Sequence, residues 1–462
     1  MFNAATYTDR RTRLADAVPS GLCLLLGNRE SPRNYPGNPY PFRQDSSFLY
    51  YVGVDTPGVD ALIDIDAGTT TLYGADPGID EIVWTGPQPA LDDRAAQAGV
   101  SHTAAPDALA GDLRAALQDG RSVHLLPPYR DTHRRRIQHL LGLCADRVDD
   151  YVSNTFVDAV IAQRSTKSDA EVEALEQAVR ITNRMHAEAM RLARPGATEQ
   201  EIVGALHGLV HAHGGQLSFP PICSIRGEVL HNHAYDHTLS EGDLLLVDAG
   251  GTAPSHYAGD VTRVTPVGGS FSPRQRALYA AVLDAQEQAI DAMKPGVPFK
   301  DVHLLAARVL TQHLQDIGLM HGSVDDAVAE GAHALFFSHG LGHMMGLDVH
   351  DMEGLGEDRV GYADDQTRSD QFGLSALRLA RPLEPGFVVT VEPGLYVIPL
   401  LIEQWRDEQK HAAFIDYDAV EDFMDIGGIR IEDDVLVTET GTRVLGDGLA
   451  ASVEDVEAAA GG

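Results

Sequence analysis

Short apolar blocks dominate the first part of the chain, and longer helical stripes take over after it. GLCLLLG (21–27), ALIDIDA (61–67), TTTLYGA (69–75) and RSVHLLP (121–127) are brief apolar or β-branched runs that predict strands. Asp92–Ala98 and Ala108–Leu117 carry helical spacing. Strands alternating with helices predict an αβ domain over residues 1–160, with an aromatic-rich segment, YPFRQDSSFLYYVGV, inside it. GLCLLLG is too short for a signal-peptide core or a membrane span and reads as a buried strand.

From about Asn154 the period lengthens. Ser168 and Glu171 have the spacing of a capping box, in which each side chain satisfies a free N–H at a helix start. An amphipathic stripe follows through Val172, Leu175, Val179, Met185, Ala189 and Leu192. The domain boundary is expected just before it. An internal repeat then recurs at an offset of about a hundred residues. Arg-Pro-Gly at 194–196 and Lys-Pro-Gly at 294–296 each end one helix and precede another, Thr198–His213 and Pro298–Asp316. Each half ends in two carboxylate-bearing strands, LLLVDAG with GDVTRV and FVVTVEPGLYV with GIRIEDDVLV. Facing halves would bring two acids from each side to one centre. Two long polar segments, Gly354–Glu384 and Ile398–Gly427, fall outside the repeat and are expected to build a rim. The expected second domain covers 165–450, and the small acidic tail (Asp447–Gly462, with 451–462 as its flexible end) is expected to fray.

Composition changes the picture through charge. Among 462 residues, 35 Lys and Arg face 68 Asp and Glu, a formal charge of −33, and only Lys167, Lys294, Lys300 and Lys410 are lysines. The acids are scattered, so the whole surface is acidic. Such a surface repels nucleic acid and acidic membranes, which need Lys and Arg to bind phosphate. Cys23, Cys144 and Cys223 are odd in number and far apart, which excludes a disulfide framework and fits a reducing cytoplasm.

The chemistry gathers in the second half. Asp248, Asp260, Glu392 and Glu432 end or border the four repeat strands, and His343 lies in HGLGHMMGLDVHD. Four carboxylates and an imidazole exceed one structural zinc site, which favours Cys and His. They suit two oxygen-preferring divalent cations that activate a water, and therefore hydrolysis. Taken singly, Asp248 before Ala-Gly-Gly also reads as a turn former. Two buried acids on one hairpin are costly without a cation between them. His339, His343 and His350 fall within twelve residues. One can ligate metal while the others donate hydrogen bonds to a substrate or its tetrahedral intermediate, as can His231 and His233. Neither HExxH nor GxSxG occurs.

Taken together and in order, VLHNHAYD, LLLVDAGG, YAGDVTRV, HGLGHMMGLDVHD, VEPGLY and GIRIEDD resemble a pita-bread metallopeptidase. With YPFRQDSSFLYYVGVDTPG and EIVWTGP in the first domain, the chain resembles the Xaa-Pro aminopeptidases (aminopeptidase P) over nearly its whole length. The resemblance implies an α/β (α+β) fold, an N-terminal aminopeptidase P-type domain followed by a pita-bread catalytic domain with pseudo-twofold repeat. It implies that Asp248, Asp260, His343, Glu392 and Glu432 hold two metals, Mn²⁺ first and Zn²⁺, Co²⁺ or Fe²⁺ as substitutes, with Asp260 and Glu432 bridging. It assigns His231, His339, His350, Tyr396 and Arg430 to the substrate site. In that scheme His350 and Tyr396 stabilise the intermediate, Arg430 steadies the ligand carboxylates and Glu392 shuttles a proton. Trp84 matches an aromatic that reaches a neighbouring subunit in tetrameric relatives. The implied substrates are peptides with proline at the second position, cut by a hydroxide held between the metals. The implied state is a cytoplasmic homo-oligomer, a dimer or tetramer, with no nucleic-acid or membrane partner.

Prolidase, which cuts Xaa-Pro dipeptides, is the nearest alternative. It needs a group that reads the free carboxylate after proline, and no motif marks one. Methionine aminopeptidase fits poorly beside so large a first domain, and creatinase-type chemistry needs no metal. A non-catalytic binding protein on this fold would be expected to have lost ligands, and all five are present. The acidic surface leaves two readings, an ordinary soluble acidic protein or one from a high-salt cytoplasm. On the second, salt relieves self-repulsion, so the thermal midpoint rises as KCl goes from low to molar levels. A midpoint that falls over that range eliminates it.

Overall fold

Residues 2–446 and 448–461 are described by the computed structural model, in which the chain divides into two units, Met1–Arg164 and Ser165–Gly462. The first unit is built on a five-stranded mixed sheet of order β4-β3-β2-β1-β5. Its strands are β1 (Leu22–Leu25), β2 (Asp60–Asp64), β3 (Thr69–Tyr73), β4 (His102–Ala104) and β5 (Val123–His124). Four of them fall in the expected apolar runs. The three-residue β4 has one exposed and two half-buried residues and carries no apolar signal. Leu22, Leu24, Leu62, Leu109, Leu113 and Ile137 pack into one core that joins sheet to helices.

The expected helices occur as Leu91–Gln97 and Ala108–Gln118, and others carry no readable stripe. In Ala4–Ala17 the buried anchors include arginines: Arg10 donates to the Tyr50 carbonyl at 2.9 Å and Arg11 to the Tyr51 carbonyl at 2.8 Å. The carbonyls they reach belong to Ser46–Val52, which is buried on every side, so its pattern has no polar face to alternate with.

The second unit begins with the capping box, where the Ser168 N–H donates to the Glu171 carboxylate at 3.1 Å and the helix Asp169–Leu192 follows. Its strands are β6 (Ile222–Ser224), β7 (Leu244–Ala249), β8 (Val261–Pro266), β9 (Val388–Val391), β10 (Gly394–Tyr396), β11 (Gly428–Arg430), β12 (Asp433–Val437) and β13 (Thr442–Val444). They form two three-stranded sheets, β6-β7-β8 and β13-β12-β9, and the pair β10-β11.

The repeat is visible in the backbone bonds. Helices Asp169–Leu192 and Glu199–Ala212 in one half correspond to Pro273–Ala292 and Phe299–Asp316 in the other. Between each pair lies a left-handed glycine, Gly196 (φ 88°) or Gly296 (φ 86°), a conformation that costs residues with a Cβ far more. The Gly196 N–H donates to the Leu239 carbonyl at 2.9 Å, and the Gly296 N–H to the Leu383 carbonyl at 2.8 Å. Asp248 is nine positions after Leu239, and Glu392 is nine after Leu383. The halves meet where the Glu432 N–H donates to the Thr262 carbonyl at 3.1 Å and Arg263 donates to the Glu432 carbonyl at 2.8 Å.

The tail expectation is corrected. Val453–Ala460 is a helix whose Val453 and Val456 are buried, and the Glu457 carboxylate accepts from the Phe271 N–H at 2.9 Å. A small helix can dock through two valines without a long apolar stripe in sequence. Asp447 and Gly462 lie outside the described residues.

His303, in the helix Phe299–Asp316, is wholly buried with neither ring nitrogen hydrogen-bonded, and it stacks on Phe337 at 5.2 Å. Burial pushes its pKa down to about 3 and that of buried His333 to about 4. The unfolded chain takes up these protons below about pH 6.5, while the folded chain does not until near pH 4 to 3. Their contribution is therefore fully present above pH 6.5 and is lost as pH falls through that window. The thermal midpoint of the protein is expected to drop between pH 6.5 and 4, with a shallower drop in His303→Leu. Equal slopes would remove His303 from the account.

Candidate metal centre

Strand ends position the acids. Asp248, near the end of β7, pairs with Thr262 of β8 across a hairpin. Asp260 immediately precedes β8, and its N–H donates to Asp434 Oδ2 at 3.0 Å. Glu392 follows β9, its N–H held by the Leu341 carbonyl at 2.8 Å, and Glu432 lies between β11 and β12. His343 is clasped by Thr390, which accepts its N–H on Oγ1 at 3.1 Å and donates its own N–H back to the His343 carbonyl at 3.0 Å. That approach requires Gly342, where a Cβ would lie 2.0 Å from the Thr390 carbonyl oxygen. The imidazole Nδ1 meets the Met344 carbonyl at 3.1 Å, which leaves Nε2 for a ligand.

All five expected ligands line one cavity of about 230 Å³, along with His231, His339, His350 and Arg430. That is below the ~300–1,000 Å³ usual for drug-sized ligands. Ligand atoms of Asp260, His343 and Glu432 all lie within 4.8 Å of one another. His343 Nε2 is 3.5 Å from Asp260 Oδ2 and 3.9 Å from Glu392 Oε1. Asp248 Oδ2 takes a 2.5 Å ion pair from Arg430.

Electrostatically the site is unbalanced. Burial, then the Glu432 and Asp248 charges, push the Asp260 carboxyl well above the usual range. Burial, then Glu392 and Asp248, do the same to Glu432. Glu392 is pushed up to about 7, chiefly by burial, against the pull of Arg430. His343 is driven well below its ordinary value by burial and by neighbouring His350, so it is a neutral donor. Four carboxyl groups share the cavity with two guanidiniums, Arg430 and Arg378, and three of the four resist ionisation without a further counter-charge. Asp248 Oδ1 and Asp260 Oδ1 are buried without a hydrogen-bond partner. An oxygen-rich donor set, orphaned oxygens and carboxyls that need a further counter-charge to ionise fit divalent cations.

Behind the wall, Arg430 Nη1 donates to the Tyr396 hydroxyl at 2.6 Å, and that hydroxyl meets His339 Nε2 at 2.8 Å. His339 Nδ1 meets the Gly340 carbonyl at 2.8 Å. Burial holds His339 at a pKa of about 3, so it is neutral. The chain then runs one way: Arg430 to Tyr396, Tyr396 O–H to Nε2, Nδ1–H to Gly340. Both nitrogens of His339 are used, which leaves none for the substrate bond expected of it. Tyr396 is fully buried and is not among the residues lining the cavity, so it is one layer further back than the motif suggested. His350 does line it, with its ring 4.2 Å from that of His343. Trp84 belongs to the first unit, where it is 87% exposed.

Several residues escaped the sequence reading. Thr262 Oγ1 donates to Glu432 Oε2 at 2.6 Å and accepts from Arg430 at 3.2 Å. Lys167 and Asp351 form a buried ion pair at 3.1 Å that ties the start of the unit to the loop bearing His343 and His350. Arg378 lines the cavity from the long segment 354–384, and its buried Nε lacks a hydrogen bond. Thr262 and Asp351 lie within YAGDVTRV and HGLGHMMGLDVHD, where nothing local marks their role; Lys167 and Arg378 belong to no motif, and only the chain's return path brings them in.

Against known proteins, the model of Metallopeptidase family M24 matches residues 173–439, and that of the aminopeptidase P N-terminal domain matches residues 7–125. The chain belongs to metallopeptidase family M24. It is thus a hydrolase of a metal-dependent class, with the α/β architecture of an aminopeptidase P-type first domain followed by the catalytic domain. It is 33% identical to the Homo sapiens Xaa-Pro dipeptidase, over 98% of this chain and 91% of that protein. It is 31% identical to the Haemophilus influenzae Xaa-Pro aminopeptidase, over 98% and 96% respectively. The solved structure of Pseudomonas aeruginosa aminopeptidase PepP superposes with a TM-score of 0.83 at 27% identity, covering 99% of this chain and 98% of that one.

The metal-free site holds its acids against their mutual repulsion. Asp260→Asn is expected to raise the thermal midpoint of the metal-free enzyme and to abolish most of the rise expected on adding a divalent cation, with Mn²⁺ as the probe, to the unaltered protein. Unchanged Mn²⁺ stabilisation in the variant would remove Asp260 from the ligand set.

Proposed function

We propose that this M24 enzyme hydrolyses the bond between an N-terminal residue and a proline at the second position, releasing the first residue. The observation that carries this reading is the one cavity on which five candidate metal ligands and His350 converge, in a chain whose full-length relatives include Xaa-Pro aminopeptidases. Asp248, Asp260, His343, Glu392 and Glu432 would hold two divalent cations, Mn²⁺ on our reading. When bound, such ions acidify water and polarise a carbonyl. Arg430 holds Asp248, Thr262 holds Glu432, and Thr390 orients His343. His350 is the ring available to donate to the carbonyl oxygen as it gains charge. Glu392 is the carboxylate suited to carry a proton to the proline nitrogen as the bond breaks. Proline gives a tertiary amide with no N–H, so a site that makes no use of that donor suits it. No described helix is long and apolar enough to cross a membrane. A cytoplasmic homo-oligomer, dimer or tetramer, is the state we infer.

A second reading, cleavage of Xaa-Pro dipeptides alone, is favoured by Arg378 and by the 33% identity to the human dipeptidase. A guanidinium on the cavity wall is a natural partner for the free carboxylate of a dipeptide. Release of alanine from Ala-Pro-Ala, lost on chelation and restored by Mn²⁺, is expected. Release from Ala-Pro alone would move the enzyme to the second reading. Arg378→Ala then separates the two, because loss of a charged hydrogen bond should raise KM for Ala-Pro about 10–100-fold. Ala-Pro-Ala, whose proline carboxyl is in a peptide bond, should be affected far less.

A further inference from the structure

One half-exposed carboxylate sits behind the ring that faces the substrate. Glu353 Oε2 is 2.6 Å from His350 Nδ1, and Glu353 lies three residues on, in a single turn whose preceding residue, Met352, has a positive φ of 64°. That left-handed residue reverses the chain, so that Glu353 points back at the ring it follows, and the Glu353 N–H donates to the His350 carbonyl at 3.3 Å. The same Oε2 lies 3.7 Å from Arg378 Nε, which in turn is 3.7 Å from Glu357. A small void lined by His343, His350, Glu353, Glu357 and Arg378 adjoins the main cavity.

We propose that Glu353 is a positioning residue: it fixes the tautomer and the plane of His350, so that Nε2 is the nitrogen presented to a bound peptide. A carboxylate accepts only, so Nδ1 must carry a proton, and Nε2 is the one ring nitrogen left for the cavity. The other candidate histidine cannot substitute, since both nitrogens of His339 are already bonded to Tyr396 and Gly340. His343 has Nδ1 on a backbone carbonyl instead. His350 is the one of the three whose Nδ1 is held by a side chain; those of His339 and His343 meet backbone carbonyls. The role of His350 in turnover rests on the function proposed above; the tautomer assignment does not.

The test uses the metal-loaded full chain and the variants Glu353→Ala, Glu353→Gln, His350→Ala and the Glu353→Ala/His350→Ala pair. Glu353→Ala is expected to lower kcat about 10–100-fold, the usual effect of removing a carboxylate that orients a histidine, with KM changed little and metal content unchanged. Glu353→Gln, which keeps the acceptor, recovers most of the loss. In the His350→Ala background, Glu353→Ala costs nothing further, because the two act as one unit. Independently of activity, ¹⁵N-histidine spectra of the metal-free and Zn²⁺-loaded protein should show Nδ1 protonated at His350, assigned by its loss in the alanine variant, and this signature should disappear in Glu353→Ala. Additive losses in the double variant, a loss confined to KM (action through Arg378), or ring-nitrogen signals unaltered by Glu353→Ala would each overturn the assignment. If the unaltered, metal-loaded enzyme released nothing from either peptide, the proposed function would fall, and the spectra alone would still decide what Glu353 does.

Discussion

Everything in the second unit answers to the cost of burying four carboxylates in one pocket. A single buried acid can be offset by hydrogen bonds. Four cannot, and the fold does not try: it gives Glu432 to Thr262 and Asp248 to Arg430, and leaves Asp248 Oδ1 and Asp260 Oδ1 with nothing. The rigid strands around them hold the charges in place against repulsion. Such an arrangement persists only because the surrounding sheets and four long helices supply more stability than the site withdraws, and because a cation repays the debt when it binds.

The repeat explains why the charges can meet at all. Gly196 with Leu239 and Gly296 with Leu383 make the same turn twice, and an acid follows each leucine at the same interval. Each half contributes a strand that ends in a carboxylate and another that begins after one. Joined at Thr262 and Glu432, the two halves bring their strand ends together, so ligands far apart in sequence arrive in the same few ångströms.

Much of this was legible because it is local. Strand-end acids, the Ser168–Glu171 cap, the paired glycine turns and the His-rich loop are each written within a few residues, and the five expected ligands do line one cavity. What sequence could not give depended on return paths. Arg378 reaches the cavity only because the Ala380 N–H donates to the Gly361 carbonyl and folds the long segment back, whereas segment 398–427 becomes the helices Pro399–Asp407 and Tyr417–Glu421 and lines nothing there. The layering of Tyr396 behind Arg430, and the full occupation of His339, needed hydrogen-bond directions that no motif encodes. The tail was misread because two valines on a short helix leave too faint a pattern to separate docking from fraying.

Arg263 shows what this costs in time. Its guanidinium spans the Glu432 carbonyl, the Asp433 carboxylate and the Ala450 carbonyl. The strand carrying Asp260 is therefore anchored by chain that a ribosome delivers almost two hundred residues later, and Asp248 likewise waits for Arg430. Until that stretch emerges, the early acids have neither a counter-charge nor a second half to face. A nascent copy therefore cannot assemble the site until the segment bearing Arg430 and Glu432 has left the ribosome, so both halves of the repeat must be made before the ligand set is whole.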